Sequence, residues 1–196
     1  MQVIALTGLP RSGKDTVAAY LNAKYQWTPS AFAGPLKYAA SIMLNLTPQQ
    51  VNGLGFDREA VMPEWGFSCR HFLQYLGTEV ARNFDPDFWV KRFAMEIANG
   101  KRMQTQGQLN PNINFDKLVI TDCRFENEAK WTREQGGVVI EIRRPGIVAN
   151  DHVSNKGVAN PEFVIDNNGV GDGWDGVLHA QVDIIIAKLE GGAAPN

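Results

Sequence analysis

Cysteine is scarce in this chain, neither sign of charge dominates, and long apolar runs are missing. Cys69 and Cys123 are the only cysteines among 196 residues. They are too few and too far apart for a disulfide framework or a zinc knuckle. Lys and Arg together number 19 against 21 Asp and Glu, a formal net charge of −2. Such a balance gives no general field for nucleic acid or for an anionic membrane surface. No stretch approaches the roughly 20 apolar residues of a spanning helix, and the N-terminus reads as a strand, not as a signal peptide. These absences leave one domain with small insertions and a real core, expected in a reducing cytosol.

What is present begins with GLPRSGKDT, residues 8–16. Before it, Gln2 to Thr7 carries a short apolar run (Val3, Ile4, Ala5, Leu6) suited to a strand buried on both faces. After it, Val17 and Leu21 fall on one side of a helix that Ala18 and Ala19 favour. Strand, glycine loop and helix in that order direct backbone N–H groups and a helix N-terminus at an anion. Lys14 adds a mobile charge for the β- and γ-phosphates of a nucleotide, and Arg11, Ser12 and Gly13 lie in the same loop. A tight turn that merely contains a lysine is the alternative, and the flanking pattern speaks against it.

Where such loops usually carry a Ser or Thr that ligates Mg²⁺, this one has Asp15. A carboxylate in a first helical turn also suits the macrodipole and needs no ligand. Beside a triphosphate it would repel unless a cation lay between them, so Asp15 is read as a Mg²⁺ ligand acting through water. Thr16 supplies the missing hydroxyl one residue late, for a phosphate oxygen.

Further along, Trp27 to Phe32 is expected to form a second strand and Leu36 to Leu46 a helix. Thr47 to Ser68 is rich in turn residues and reads as an irregular excursion. Arg70 to Asn83 is expected to be helical, and Asp85-Pro86 to cap a helix over Asp87 to Asn99. The polar stretch KRMQTQGQLNPNINFD reads as an exposed loop. Leu118 to Thr121 and Val138 to Ile142 are strands flanking a helix over Glu126 to Gln135. A second excursion, Arg143 to Pro161, precedes a short strand at Phe163 to Ile165 and a helix over Trp174 to Leu189. GGAAPN should be a flexible tail. Strands alternating with helices imply an α/β fold, a parallel sheet with helices on both faces. Ligands then bind at the carboxyl ends of the strands.

Asp122 ends an apolar strand, where a second carboxylate could hold the Mg²⁺ shell; it could equally cap the following helix. Arg124 is placed to reach a phosphate or to pair with Glu126 or Glu128 on the surface. On the helix RHFLQYLGTEVAR, at about 100° per residue, Phe72, Leu73, Leu76 and Val80 share one side. Arg70, Gln74, Gly77 and Ala81 line the other, flanked by Thr78 and, further round, Arg82. Glycine costs about 1 kcal/mol against alanine inside a helix, so Gly77 suggests something flat near the backbone, or else a helix-packing contact. Arg143 and Arg144 stand where a strand ends, as clamps on a transferring phosphoryl group or as solvated residues. His152 reads more readily as a polar loop residue than as a catalyst.

Taken together, GLPRSGKDTVA, FAGPLKYA, RHFLQYLGTEVARNFDPDFWVKRFA, LVITDCRFENEA, GGVVIEIRRPG and FVIDNNG resemble the deoxynucleoside monophosphate kinases of tailed bacteriophages. They occur in that family's order from Val3 to Gly169. The R-x-x-x-Q-x-L-G-T helix and the D-x-R after the strand are far more specific than the glycine loop, and G-K-D-T is the family's own loop. The resemblance implies a P-loop kinase fold with a five-stranded parallel sheet, a monophosphate-binding region over 33–84 and a lid over 143–161. It implies phosphoryl transfer from ATP·Mg²⁺ to a nucleoside 5′-monophosphate, in the host cytosol if the chain is phage-encoded, and it leaves room for a homodimer. Arg11 to Thr16 would hold ATP, with Arg143 and Asn168 beside it. Lys14, Asp122, Arg124 and Arg144 would act on the phosphoryl group, and Asp15 and Asp122 would hold Mg²⁺. On the acceptor side it points to Lys37, Arg70, Gln74, Gly77, Thr78 and Glu79, joined by Arg82 and Trp89. Relatives often read D-H-x-S-E in the lid, whereas here Asp151-His152-Val153-Ser154-Asn155 loses a carboxylate.

Three other readings compete. Another small-molecule kinase of the same fold, such as dephospho-coenzyme A kinase, would lack the R-x-x-x-Q-x-L-G-T helix. A guanine-nucleotide switch would need N-K-x-D, yet Asn155-Lys156-Gly157-Val158 lacks the aspartate. A catalytically dead nucleotide-binding protein would show no turnover.

Overall fold

In this computed structural model the described residues are 1–110, 113–148, 151–169 and 174–191. They form two compact units, Met1–Ala31 with Met95–Asn196, and Phe32–Ala94. The second contains the whole of the 33–84 region.

The first unit starts with β1 (Gln2–Thr7), α1 (Lys14–Tyr25) and β2 (Thr28–Ser30). The second holds α2 (Gly34–Met43), α3 (Pro48–Val51), β3 (Val61–Met62), β4 (Phe67–Ser68) and α4 (Cys69–Gln74), then a π-helical stretch Tyr75–Val80, α5 (Ala81–Phe84) and the start of α6 (Phe88–Thr105). The first unit resumes with β5 (Lys117–Ile120), α7 (Glu126–Glu134), β6 (Val138–Arg143), a 3₁₀ turn at Val153–Asn155, β7 (Phe163–Asp166) and α8 (Trp174–Glu190).

Five strands form one parallel sheet in the order β2-β5-β1-β6-β7. Its period of two decides which helix each residue meets. Ile4, Leu6, Val119, Ile140 and Ile142 point to one side and join Val17, Leu21, Leu178 and Val182 of α1 and α8 in a single core. Helix α7 packs against β1 and β6. Burying Val17 and Leu21 contributes roughly 1.5–3 kcal/mol each. Because both faces of β1 are covered, its apolar run is continuous, as expected.

Helix α1 ends at Gln26, whose left-handed φ of 61° lets its N–H return to Asn22 O at 3.1 Å. Near that end, Asp183 of α8 accepts hydrogen bonds from Tyr20 (2.8 Å), Tyr25 (2.7 Å) and Lys24 (2.8 Å). The Lys24 ammonium above all, then the two tyrosine hydroxyls, hold the Asp183 carboxyl down at about 2. A carboxyl lowered in the folded state stabilises it above the unfolded value of about 3.9. That contribution is lost as pH falls from there through about 2. Asp183→Asn should therefore unfold less steeply than wild type across this acid window. Acid titration followed by circular dichroism checks it, and superimposable slopes would speak against the link.

Three expected elements change. Helix α6 runs to Thr105, into the stretch expected to be a loop. The reason is packing: a side chain on Gly100 would meet the Phe115 ring at 2.3 Å, and Gln104 Nε2 donates to Ile113 O at 2.8 Å. The insert is thereby folded back on the helix. The excursion Thr47–Ser68 contains α3 and the β3–β4 hairpin. Thr47 and Gln50 form a reciprocal capping box there, a T-x-x-Q signal readable in the sequence.

The third change is in the helix that begins near Arg70. Tyr75–Val80 is π-helical, and i→i+5 bonding widens the turn so that residues four apart come into line. Leu73, Gly77 and Ala81 are all buried. Arg70, which heads the expected polar stripe, is buried as well, so Gly77 lies on a packed face. A side chain there would meet Leu36 Cδ2 at 2.8 Å. GGAAPN lies, apart from Gly191, outside the described residues.

Candidate active site

The glycine loop follows the carboxyl end of β1. Gly8 has φ 125°, and a side chain on it would meet Ile142 O at 2.3 Å. Backbone that close leaves room for glycine alone. Arg11 sits at φ 65°, a strained region for a side-chain-bearing residue, of the kind concentrated at ligand clamps. Arg144 Nη1 donates to Arg11 O at 3.4 Å, which brings the loop and the root of the 143–161 segment together. Lys14 folds back over the loop, donating to Gly8 O (2.9 Å), Leu9 O (2.7 Å) and Ser12 Oγ (3.3 Å). These acceptors hold an ammonium where oxygens of a phosphate would compete for it. From Lys14 on, α1 presents its N-terminus with Asp15 exposed in the first turn.

Asp15 shares a surface groove with Ala18, Pro29, Ser30 and Thr121. Asp15 therefore opens onto the carboxyl ends of β2 and β5, and Asp122 is the next residue. Asp122 does not cap α7, whose N-cap position is Phe125. That alternative is removed. The capping is done from inside the helix by Glu128, a buried residue whose Oε2 accepts the amides of Arg124 (2.7 Å) and Phe125 (3.1 Å). Glu128 thus sets the path of the chain that carries Asp122 and Arg124. The sequence signal was a glutamate in the first turn reaching back to an N-cap. The surface ion pairs considered for Arg124 are not what these carboxylates do. Glu126 Oε1 accepts from Ala159 N at 2.6 Å, and Arg124 Nη1 donates to Ser154 O at 3.3 Å.

Within the 143–161 segment, His152 Nδ1 takes the Ser154 amide at 3.2 Å and lies 2.8 Å from Ser154 Oγ. With the ring nitrogen serving the 3₁₀ turn, His152 is a loop-forming residue. Arg143 is exposed and held by Glu141 Oε2 at 3.0 and 2.8 Å. Asn168 is exposed, whereas its neighbour Asn167 is buried and donates to Ser12 O at 2.8 Å. Nothing in the sequence separated these two asparagines. Cys123 is no nucleophile: burial, with Glu128 and Asp122 nearby, pushes its thiol well above the usual range.

In the second unit, Arg70 is 8% exposed, lies 3.9 Å from Glu59 Oε1, and donates its backbone N–H to Arg58 O at 2.9 Å. Lys37 Nζ donates to Asn52 Oδ1 at 2.8 Å. Gln74 and Thr78 are half-buried, and Glu79 is exposed. Arg82 Nη1 donates to Pro86 O at 2.9 Å. Trp89 is buried, and its Nε1 donates to Gly77 O at 2.8 Å. Gly77 and Trp89 are thereby bonded to each other, and Gly77 packs beside Leu36, the helix-packing contact that was the alternative for this glycine. The wide turn at Gly77 frees a carbonyl that the indole satisfies.

A central parallel strand that opens through a lysine-bearing glycine loop into a helix, with helices on both faces of the sheet, makes the class plain: this is a nucleotide-binding protein of the P-loop fold. The family model for deoxynucleotide monophosphate kinases matches residues 2–65 and 62–172, and the chain belongs to that family. A protein of Acanthamoeba polyphaga mimivirus to which the same activity is ascribed is 32% identical over 174 residues, 86% of this chain and 89% of the viral one. The deoxynucleotide monophosphate kinase of Enterobacteria phage T4 is 25% identical over 237 residues, 86% of this chain and 93% of its own. Among solved structures, a dephospho-CoA kinase from Campylobacter jejuni aligns over 98% of this chain and 99% of its own, at 13% identity and a TM-score of 0.44. The chain is a phosphotransferase whose chemistry is phosphoryl transfer to a nucleotide monophosphate. No described helix is long and apolar enough to cross a membrane.

Proposed function

We propose that this enzyme moves the γ-phosphoryl group of ATP, with Mg²⁺, to a deoxynucleoside 5′-monophosphate, giving the diphosphate and ADP. The observation that carries the reading is Lys14, gathered onto Gly8 O, Leu9 O and Ser12 Oγ at the N-terminus of α1. Arg11 to Thr16 hold the donor phosphates through loop amides and the lysine. Arg144, at Arg11, and Arg124, on the Ser154 carbonyl, offset charge that develops on the transferring group. Arg143 to Pro161 act as the lid. Lys37, Arg70, Gln74, Thr78 and Glu79 take the acceptor. No general base is required, since the attacking phosphate oxygen is already ionised.

The donor set of Asp15 and Asp122 is hard oxygen throughout, and Asp15 opens onto the groove beside Thr121. That fits Mg²⁺, which keeps several waters and takes one or two carboxylates plus substrate phosphates. When bound, the ion neutralises charge on the β- and γ-phosphates. A cytosolic setting accords with two buried, free cysteines, and the net charge of −2 gives no support to a nucleic-acid or membrane partner.

Asp15→Asn tests the metal assignment. The variant should need more Mg²⁺ than wild type for half-maximal rate, with metal-free ATP binding changed much less. Superimposed metal titrations would instead leave Asp15 to the helix macrodipole.

A further inference from the structure

Asn167 ends no catalytic step in the scheme above, yet it is among the most confined polar residues of the first unit. It is 2% exposed and follows the last residue of β7. Its Nδ2 donates to Ser12 O at 2.8 Å, and its own N–H donates to Arg143 O at 2.7 Å. A side chain on Gly13 would meet that same Nδ2 at 2.6 Å. The amide thus occupies the space glycine leaves open.

Two facts of covalent geometry give the contact its meaning. In a trans peptide the C=O and the following N–H point in opposite directions. Ser12 O, fixed on Asn167, therefore turns the Gly13 N–H away from Asn167. Gly13 itself has φ 109°, in a region where glycine rotates at no steric cost. Without a restraint, the 12–13 peptide could flip and offer a carbonyl where a phosphate needs a donor.

We propose that Asn167 is a positioning residue of the donor site, which keeps the 12–13 peptide in the orientation that binds the phosphates of ATP. Through its backbone bond to Arg143 it also ties the loop to the root of the lid. This rests on the donor-site reading above and deepens it.

The experiment uses the full chain and two variants, Asn167→Ala and Asn167→Leu. The first removes the donor, and the second removes it while keeping volume. KM is measured separately for ATP and for a deoxynucleoside monophosphate. The melting temperature is followed with neither ligand, with ATP and with the monophosphate. A freed peptide should raise the KM for ATP about tenfold to a hundredfold, the effect of losing one buried hydrogen bond to a binding loop. The KM for the monophosphate should stay within about twofold. The melting shift given by ATP should shrink in both variants, while that given by the monophosphate persists. Equal rises in both KM values, or an undiminished ATP shift, would overturn the proposal. So would loss of a cooperative melt in both variants, since Asn167 would then hold the fold and not the loop. An inactive wild-type protein would defeat the donor-site reading itself, which keeps the two failures apart.

Discussion

Lys14→Ala is expected to lower kcat by roughly 10²–10³, the cost of removing one preorganised group that meets charge in the transition state. The effect follows from what the ammonium touches. It is held by Gly8 O, Leu9 O and Ser12 Oγ, a geometry built by the tight backbone at Gly8 and the helix that follows. An exposed lysine in water would contribute little, but this one is 8% exposed, in a setting where charge is poorly screened. The fold should survive, because the side chain leaves the loop's edge and not the apolar core. Single-turnover rates in wild type and variant, with far-UV circular dichroism as the control for folding, give the comparison. Near-normal turnover in a folded variant would remove Lys14 from the mechanism.

Arg70→Ala is expected to weaken every acceptor by a similar factor, since all monophosphates carry the same phosphate. Loss of a charge-assisted hydrogen bond is worth roughly 1.5–3 kcal/mol, or about 10- to 150-fold in kcat/KM. Gln74→Ala should behave differently, changing the ranking among bases, because an unmet polar edge matters only where that edge exists. Arg70 is nearly buried, so truncation also leaves a void; Arg70→Lys keeps charge and length but loses the planar fork. The lysine variant should keep the wild-type ranking among bases. kcat/KM for each acceptor, with ATP affinity followed separately, separates the roles. A base-selective loss in Arg70→Ala together with a uniform loss in Gln74→Ala would exchange the two assignments.

The sheet and its loop were legible because they rest on short-range rules. An apolar run of the right length, a glycine loop and a helical pattern each follow from local sequence, and the family motifs fixed their order. Gly77 shows where such reasoning ends. A regular turn puts it on a stripe with Arg70 and Gln74 that reads as polar, whereas Arg70 and Gly77 are both buried and the π-helical stretch sets Gly77 against Leu36 and the Trp89 indole. The widening depends on packing partners remote in sequence. Asn167 and Asn168 differ in the same way: adjacent and identical in chemistry, one is buried on the loop and the other exposed. Only the register of β7 on β6 chooses between them. Glu128 lies between these cases, since its reach to Arg124 N and Phe125 N follows a first-turn capping pattern that the sequence already contained.

ADP release measured by a coupled assay, with ATP and Mg²⁺ against every deoxy- and ribonucleoside monophosphate in turn, decides what the site does. Acceptor-dependent ADP formation is expected with at least one deoxynucleoside monophosphate, one ADP for each nucleoside diphosphate formed. Turnover with dephospho-coenzyme A and with no monophosphate, or ATP binding without any acceptor-dependent turnover, would contradict it.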